Sequence, residues 1–517
     1  MESLSKKWAI LVVVILGSFM PILDNNIVNV ALPKIMATFG ATVDQIEWVV
    51  TGYMIAFAII MPATSWLQEF LGLKKVFLGS LALFGIGSAF CGLAWSKDSL
   101  IFFRILQALG GGALMPSGLT LVSFAFLPKE RGMAMGIWSI GAMVAPAVGP
   151  FLGGYLADEM SWRAIFYINL PVGALTILAA IFILPSVKSR EAGRKFDFLG
   201  FFSLAVFLAF LLIALAQGQR EGWNSDYILS CFGLSLLGLI FFIIANLSVQ
   251  EPIVDLRLFA IPNFLMANIV NFVRAVAIFG SLFLLPLFLQ NLLQYTAFGT
   301  GIILAPLAIT VAIVAPFSGF VSDRLGPRLP LTLGTILVAL SLYMFKDLSL
   351  NSDYWFLFWP QVLRGAGLGL INAPLMSAAI NAVRREQTGV AASFITIIMQ
   401  IGGAFGVSLL STILQRREFF HYAHFLQSLA NPLAPVVRQA QEAAQSLLLK
   451  SGYAPSEVLI KGKALLALWF QRQAAVCAFQ DAFFISALII CIGIVPALLI
   501  RNQQAVSLKG KTVLAGD

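Results

Sequence analysis

Apolar runs of about twenty residues, separated by short polar stretches rich in Lys, Arg, Gly and Pro, recur along the whole 517-residue chain. A helix of roughly 20 apolar residues crosses a bilayer core, because in hydrocarbon every backbone N–H and C=O has to be satisfied within the segment. The pattern predicts spans near 8–32, 46–68, 75–95, 99–124, 133–156, 164–184, 197–216, 226–247, 263–290, 298–321, 329–346, 355–380, 389–414 and 481–500, fourteen in all. The run 329–346 is short and needs its neighbours. One long polar segment, 415–480, separates the last two spans. Its Gln- and Ala-rich stretches, with turn signals at Asn431-Pro432 and Ala454-Pro455, predict amphipathic helices near 434–450 and 456–478. That segment is either a solvated loop or a docking element.

Composition makes lipid the solvent. Hydrophobic residues are 59% of the chain, charged residues 11%, and the mean hydropathy is +0.91, which no water-soluble chain of this length sustains. The net charge of +9 does not point to nucleic acid, since the basic residues sit in small clusters between apolar runs. Lys6 and Lys7 precede an apolar stretch longer than a signal h-region, so it is read as the first span. Cys91, Cys231, Cys477 and Cys491 lack ligand spacing and are expected to be mostly buried thiols. His421 and His424 form an H-x-x-H pair without further ligands, so no metal and no cofactor are expected. Without a Walker A sequence, nucleophile elbow or zinc-protease motif, neither ATP-driven transport nor an enzyme is expected.

The short loops on one side hold eighteen Lys and Arg, among them Lys6, Lys7, Lys74, Lys75, Arg324 and Arg328, whereas the other side has Lys34, Lys97, Arg163, Arg220 and Lys346. By the positive-inside bias both chain ends are expected in the cytoplasm. Pro62, Ser65, Glu69, Gly72 and Lys74 recur 254 residues later as Pro316, Gly319, Asp323, Gly326 and Arg328, which implies two homologous halves. The expected organisation is an all-α membrane protein. It has an N-terminal six-helix bundle at 1–184, a linker with two added spans at 185–250, and a C-terminal six-helix bundle at 251–517 that includes the outer loop 415–480.

The turn Gly319-Phe-Val-Ser-Asp323-Arg324-Leu-Gly326-Pro-Arg328 lets helices approach at Gly while Asp and Arg can pair across them. It resembles the G-x-x-x-D-R-x-G-x-R/K turn of the major facilitator superfamily, where it is associated with latching the cytoplasmic gate. In the first half Glu69 replaces Asp and Phe70 stands in place of Arg, so the latch is expected to rely on the second half. Gly136-x8-Ala145-x3-Gly149-Pro150-x2-Gly153-Gly154 is similar to that superfamily's antiporter motif; its small residues also suit plain close packing, with Pro150 bending the helix. Leu23-Asp24 through Pro33, Trp162-Arg163-x3-Tyr167-Ile168-Asn169-Leu170-Pro171 and Pro252-Ile-Val-Asp255 extend the match. Together they resemble the fourteen-span drug:H⁺ antiporters of the EmrB/QacA type, in particular the EmrB branch.

Ionisable side chains within spans each need a reason, since insertion costs about 2.5 to 3.5 kcal/mol. Asp24 in span 1 is a candidate for proton coupling or for a helix-packing hydrogen bond. Arg104, with Gln107 and the Gly110–Gly112 run, is similar to the superfamily's R-x-x-Q-G motif with Ala108 in place of Gly, and either tunes a carboxylate or forms a fixed pair. Asn268, Asn271 and Arg274 share one face of span 9 and either line a cavity for an anionic or carbonyl-rich substrate or anchor helices. Asn26, Gln107 and Arg364 complete the candidate cavity. Glu47 and Asp481 are expected to cap helices.

The resemblance implies two bundles in the bacterial inner membrane that export small amphipathic compounds by proton exchange and alternating access. Its EmrB branch further implies a periplasmic adaptor protein and an outer-membrane channel. The rival expectation is a dedicated lipid, fatty-acid or metabolite exporter on the same scaffold.

Overall fold

A computed structural model describes residues 2–128, 130–185, 196–249, 252–429, 446 and 455–501. Among them there are no strands and fourteen long helices. The first eight are α1 (Glu2–Phe39), α2 (Trp48–Leu71), α3 (Leu73–Gly92), α4 (Lys97–Ala125), α5 (Arg131–Glu159), α6 (Asn169–Ile183), α7 (Phe198–Glu221) and α8 (Asp226–Ser248). The rest are α9 (Pro262–Leu287), α10 (Ala297–Leu325), α11 (Arg328–Met344), α12 (Tyr354–Asn381), α13 (Thr388–Leu429) and α14 (Pro455–Ile492). Thirteen helical stretches among the described residues are long and apolar enough to cross a membrane by length and composition; α5 is the other long helix.

The starts are fixed locally. Ser96 and Ser99 form a capping box at α4, and Asp197, Ser225, Thr296 and Asp353 each accept a backbone N–H at the first turn of α7, α8, α10 and α12. The ends of α2 and α10 carry the signature of the repeat. Gly72 (φ 90°) and Gly326 (φ 89°), 254 residues apart, both reverse the chain in a conformation that L side chains rarely adopt.

Helices α1 to α6 pack on one another: α1 lies along α5 and α4, α2 and α3 flank α4, and α6 leans on α1 and α3. Helices α9 to α14 form the second bundle, with α9 along α13, α10 and α11 along α12, and α14 against α13 and α11. Helices α7 and α8 pair with each other, and α7 rests on α2 and α13. The bundles meet where α5 runs along α10 and where α2 touches α13. Exposed Leu229, Leu236, Leu237, Phe241 and Leu247 on α8 give the protein a lipid-facing skirt.

Two expectations need correction here. The described ends of the segment 415–480 are continuations of the flanking spans, not separate helices: α13 has 42 residues and α14 has 38. At 1.5 Å per residue they are about 63 and 57 Å long, roughly twice a hydrocarbon core, so both spans continue as helix beyond the membrane. The helix expected at 456–478 is therefore the N-terminal part of α14, and that at 434–450 lies, except for Ser446, outside the described residues. Span 6 falls where expected, at Ala164–Ile183, with a short helix Ala164–Tyr167 leading into α6. Among the cysteines, Cys91 and Cys231 are buried but Cys491 is exposed on the membrane-facing surface.

Candidate functional site

The first bundle closes around one carboxylate. Asp24 of α1 is fully buried, and one of its oxygens accepts from Arg104 Nη1 of α4 in an ion pair that is sealed on both sides. Its other oxygen accepts from Gln107 Nε2 of α4 (3.0 Å) and Asn169 Nδ2 of α6 (2.7 Å). Arg104 Nη1 also donates to Gln107 Oε1 (2.8 Å), and Gln107 Nε2 and Asn169 Nδ2 both reach Ser88 Oγ of α3 (3.1 and 3.0 Å). The guanidinium lies 4.0 Å from the ring centre of Tyr53 on α2, within cation–π range. Burying two charges is tolerable when the pair is well aligned and most of its remaining polar atoms are matched; here both carboxylate oxygens are satisfied and of the guanidinium nitrogens Nη2 alone has no hydrogen-bond partner. Five helices thus converge on Asp24, so its charge state is felt across the whole bundle.

Gln107, expected on the cavity wall, belongs to this cluster. Asn169 and Ser88 were not singled out as site residues. Asn169 had a usable signal, an amide inside an apolar run immediately before Leu170-Pro171; Ser88 had none. Asn26, two residues beyond Asp24 along α1 and so on the opposite side of the helix, donates to Ile22 O of its own helix (2.7 Å).

In the interior of the second bundle Arg274 and Arg364 have no carboxylate partner among the described residues. Arg274 of α9 donates to Asn372 Oδ1 of α12 and, at 2.9 Å, to Asn271 Oδ1, while Asn271 Nδ2 donates to Ile395 O of α13 (2.8 Å). Asn268 turns inward and bonds Phe264 O (2.9 Å). Arg364 of α12 is fully buried, donating to Gln361 Oε1 (2.5 Å) and Ser281 Oγ of α9 (3.2 Å). Gln361 follows Gln107 by the same 254 residues as the repeat, so the R-x-x-Q order of α4 is reversed to Q-x-x-R on α12.

The seam between bundles is made of glycine. A Cβ at Gly132 would lie 2.5 Å from Asp323 Oδ1 and 2.6 Å from Gly319 O, and Gly136 abuts Ala315 and Pro316 of α10. Asp323 does not pair with Arg324 as expected. Its two oxygens accept the Gly132 and Met133 backbone N–H groups (2.9 and 3.1 Å) at the first turn of α5, where the helix dipole favours a negative charge. Arg324 is exposed over the Phe320 ring, 4.1 Å from its centre, and Arg328 opens α11 after Gly326. Arg131 Nη1 adds a bond to Asn381 Oδ1 at the end of α12 (2.8 Å). These contacts tie the bundles at the end that carries Lys7 and Arg501.

In the Gly149–Gly154 stretch of α5 the glycines differ. Gly149 meets Asn26 and Gly153 meets Ile27 of α1, so this motif packs α5 within its own bundle. Gly154 touches nothing that an added Cβ would disturb, which corrects the expectation that it lets helices meet. Pro150 lies in the backbone of the same helix.

At the opposite end, Glu47 makes no side-chain cap; it pairs with Arg220 at the end of α7 (2.6 Å). Gln219 Nε2 donates to Ser411 O and Gln415 Oε1 of α13 (both 3.2 Å), and Trp223 Nε1 donates to Thr412 Oγ1 (3.2 Å). Asp481 also caps nothing, because α14 runs through it; it accepts from Arg417 (2.6 Å) and contacts His421 Nε2 (2.7 Å), joining α13 to α14. Above it Leu466 and Phe470 pack on Tyr422 and Phe425, while Phe419, Leu468 and Trp469 stay exposed.

Comparison with known proteins agrees with this architecture. The multidrug export protein EmrB of Escherichia coli is 32% identical over 422 residues, 81% of this chain and 82% of that protein. The uncharacterized MFS-type transporter YhcA of Bacillus subtilis is 29% identical over 97% of this chain and 94% of its own length. The crystal structure of the human organic anion transporter MFSD10 (TETRAN) superposes with a TM-score of 0.58 at 14% identity, covering 94% of this chain and 99% of that one, a likeness of fold alone. The family model described as Major Facilitator Superfamily matches residues 14–407. The chain belongs to that superfamily, and it is a transporter rather than an enzyme.

Proposed function

We propose that the protein is a proton-coupled exporter of amphipathic compounds in the bacterial inner membrane, working by alternating access between bundles at 1–184 and 251–517. The observation that carries this reading is the sealed Asp24–Arg104 pair, a carboxylate placed where five helices meet. A proton arriving at Asp24 weakens its hold on Arg104, Gln107 and Asn169, which sit on two other helices, and so biases how α1, α4 and α6 pack. The end tied by Asp323 would be the cytoplasmic gate, with both termini in the cytoplasm as the Lys and Arg distribution favours. Breaking that tie lets cargo enter from inside; proton uptake from outside resets it.

The relative named a multidrug export protein supports amphipathic cargo. The helical extension of α13 and α14, with exposed Phe419, Leu468 and Trp469, supports contact with a periplasmic adaptor that leads to an outer-membrane channel.

The test is Asp24→Asn in inside-out vesicles. The variant is expected to insert and fold but to lose export driven by a pH gradient, while still exchanging substrate down its own gradient. Export at the parental rate under the same gradient would remove Asp24 from the coupling role.

A further inference from the structure

The two bundles treat buried positive charge differently. In the first, Arg104 is cancelled by Asp24. In the second, Arg274 and Arg364 are 3% and 0% exposed, and among the described residues neither has a carboxylate in ion-pair reach. Helices α9 and α12, which carry them, contain no Asp or Glu.

The neutral partners do not make up the deficit. Each guanidinium spends its bonds on one amide oxygen and one more acceptor, and each keeps Nε without a partner. Because an arginine only donates, Asn372 and Gln361 must turn their oxygens to it, which leaves Asn372 Nδ2 and Gln361 Nε2 unpartnered as well. Four orphaned donors and two positive charges therefore line one seam. Buried polar groups are normally satisfied, so a set composed of donors asks for an acceptor-rich anion.

The donors form two layers. Arg274 and Ser281 are seven residues apart on α9, and Arg364 and Asn372 eight apart on α12, which separates the layers by about 10–12 Å at 1.5 Å per residue. Both layers lie well inside their spans.

We infer that the α9–α12 seam is a binding site for the anionic head of an amphipathic monocarboxylate, which Arg274 and Arg364 both attract although the head fits against one layer at a time. In the conformation described here the seam is sealed, so the head group enters when the bundles rearrange. That the ligand is cargo rests on the export reading above; that it binds does not.

The test uses two probes with the same tail and opposite heads, dodecanoate and dodecyltrimethylammonium, and purified protein in phosphatidylcholine nanodiscs. Thermal unfolding of the parent is expected to rise with dodecanoate more than with the cation. Arg274→Gln and Arg364→Gln should each raise the half-saturating dodecanoate concentration roughly tenfold, as expected for the loss of one positive charge in contact with the head or about 11 Å from it. Arg274→Lys and Arg364→Lys, which keep the charge and stand in for any Gln variant that does not fold, should still prefer dodecanoate. A dodecanoate response that is unchanged in both Gln variants, or folded Lys variants that no longer distinguish the probes, overturns the site. Stabilisation by added phosphatidylglycerol with none by dodecanoate also overturns it, since the occupant is then a lipid. Gradient-driven export of dodecanoate is measured in parallel: its absence from the parent while the dodecanoate preference in binding persists refutes the export reading and leaves the binding site standing.

Discussion

Gly132→Ala places a methyl group in the narrowest part of the seam between the bundles. Its Cβ would sit 2.6 Å from Gly319 O and 2.5 Å from Asp323 Oδ1, whereas carbon packs comfortably at about 3.5 Å. The backbones of α5 and α10 would have to part by about 1 Å, which stretches the Asp323 bonds from 2.9 and 3.1 Å to about 4 Å, where they no longer count as hydrogen bonds. Charge-assisted bonds are worth about 1.5–3 kcal/mol; Asp323 is only half-buried, so the lower figure applies and the pair contributes about 3 kcal/mol. That shifts the closed-to-open equilibrium at this end by roughly a hundredfold. Spin labels at Leu127→Cys and Leu325→Cys, both exposed at this face, with Cys477 and Cys491 replaced by Ser, report it as a distance distribution. The parent should show one short distance and Gly132→Ala a majority of longer ones, with Asp323→Asn in between because it keeps one oxygen acceptor. An unchanged short distance in folded Gly132→Ala would refute the idea that this contact sets the gate.

Two further outcomes follow from the geometry. Gly149→Ala and Gly153→Ala crowd Asn26 and Ile27 and should slow export severalfold, given the 1–3 kcal/mol typical of overpacking, whereas Gly154→Ala should export at the parental rate; vesicle uptake assays on the three variants check it. Phe419→Ser combined with Trp469→Ser should leave transport in proteoliposomes intact but lower resistance in cells with a native envelope; equal resistance would argue against a partner on the α13–α14 extension.

Thirteen of the fourteen expected spans are helices long and apolar enough to cross a membrane, and they were legible because the membrane imposes one length and one composition on every crossing. That same rule misplaced the ends of α13 and α14. Hydropathy falls near residue 415 because the chain leaves lipid, yet the backbone remains helical to Leu429, and a window tuned to apolar length sees an exit from the bilayer as the end of a helix. Asp481 looked like a helix start for the same reason. Asp24 and Arg104 were visible one at a time as charges in the wrong solvent; their pairing was not, since it depends on how α1 and α4 rotate against each other. Asn169 and Ser88 join them only through the packing of α6 and α3, which no local spacing encodes. The latch showed the converse. Its residues were read correctly, but Asp323 meets backbone N–H groups on α5 that carry no side-chain signature.

The Asp24–Arg104 cluster is electrically neutral as it stands, since Gln107, Asn169 and Ser88 add dipoles but no charge. One proton on Asp24 leaves Arg104 uncancelled and gives the middle of the first bundle a unit positive charge. The membrane potential acts on that charge with about 2.3 kcal/mol per 100 mV. Exchanging one inward proton for one outward monovalent cation moves no net charge, so voltage would neither help nor hinder it. Exchanging the same proton for a monovalent anion moves two positive charges inward, and about 4.6 kcal/mol per 100 mV then favours export. Under the proposed one-proton exchange the driving force depends on the charge of the cargo, and two amphiphiles of equal affinity would be concentrated to very different limits across the same energised membrane.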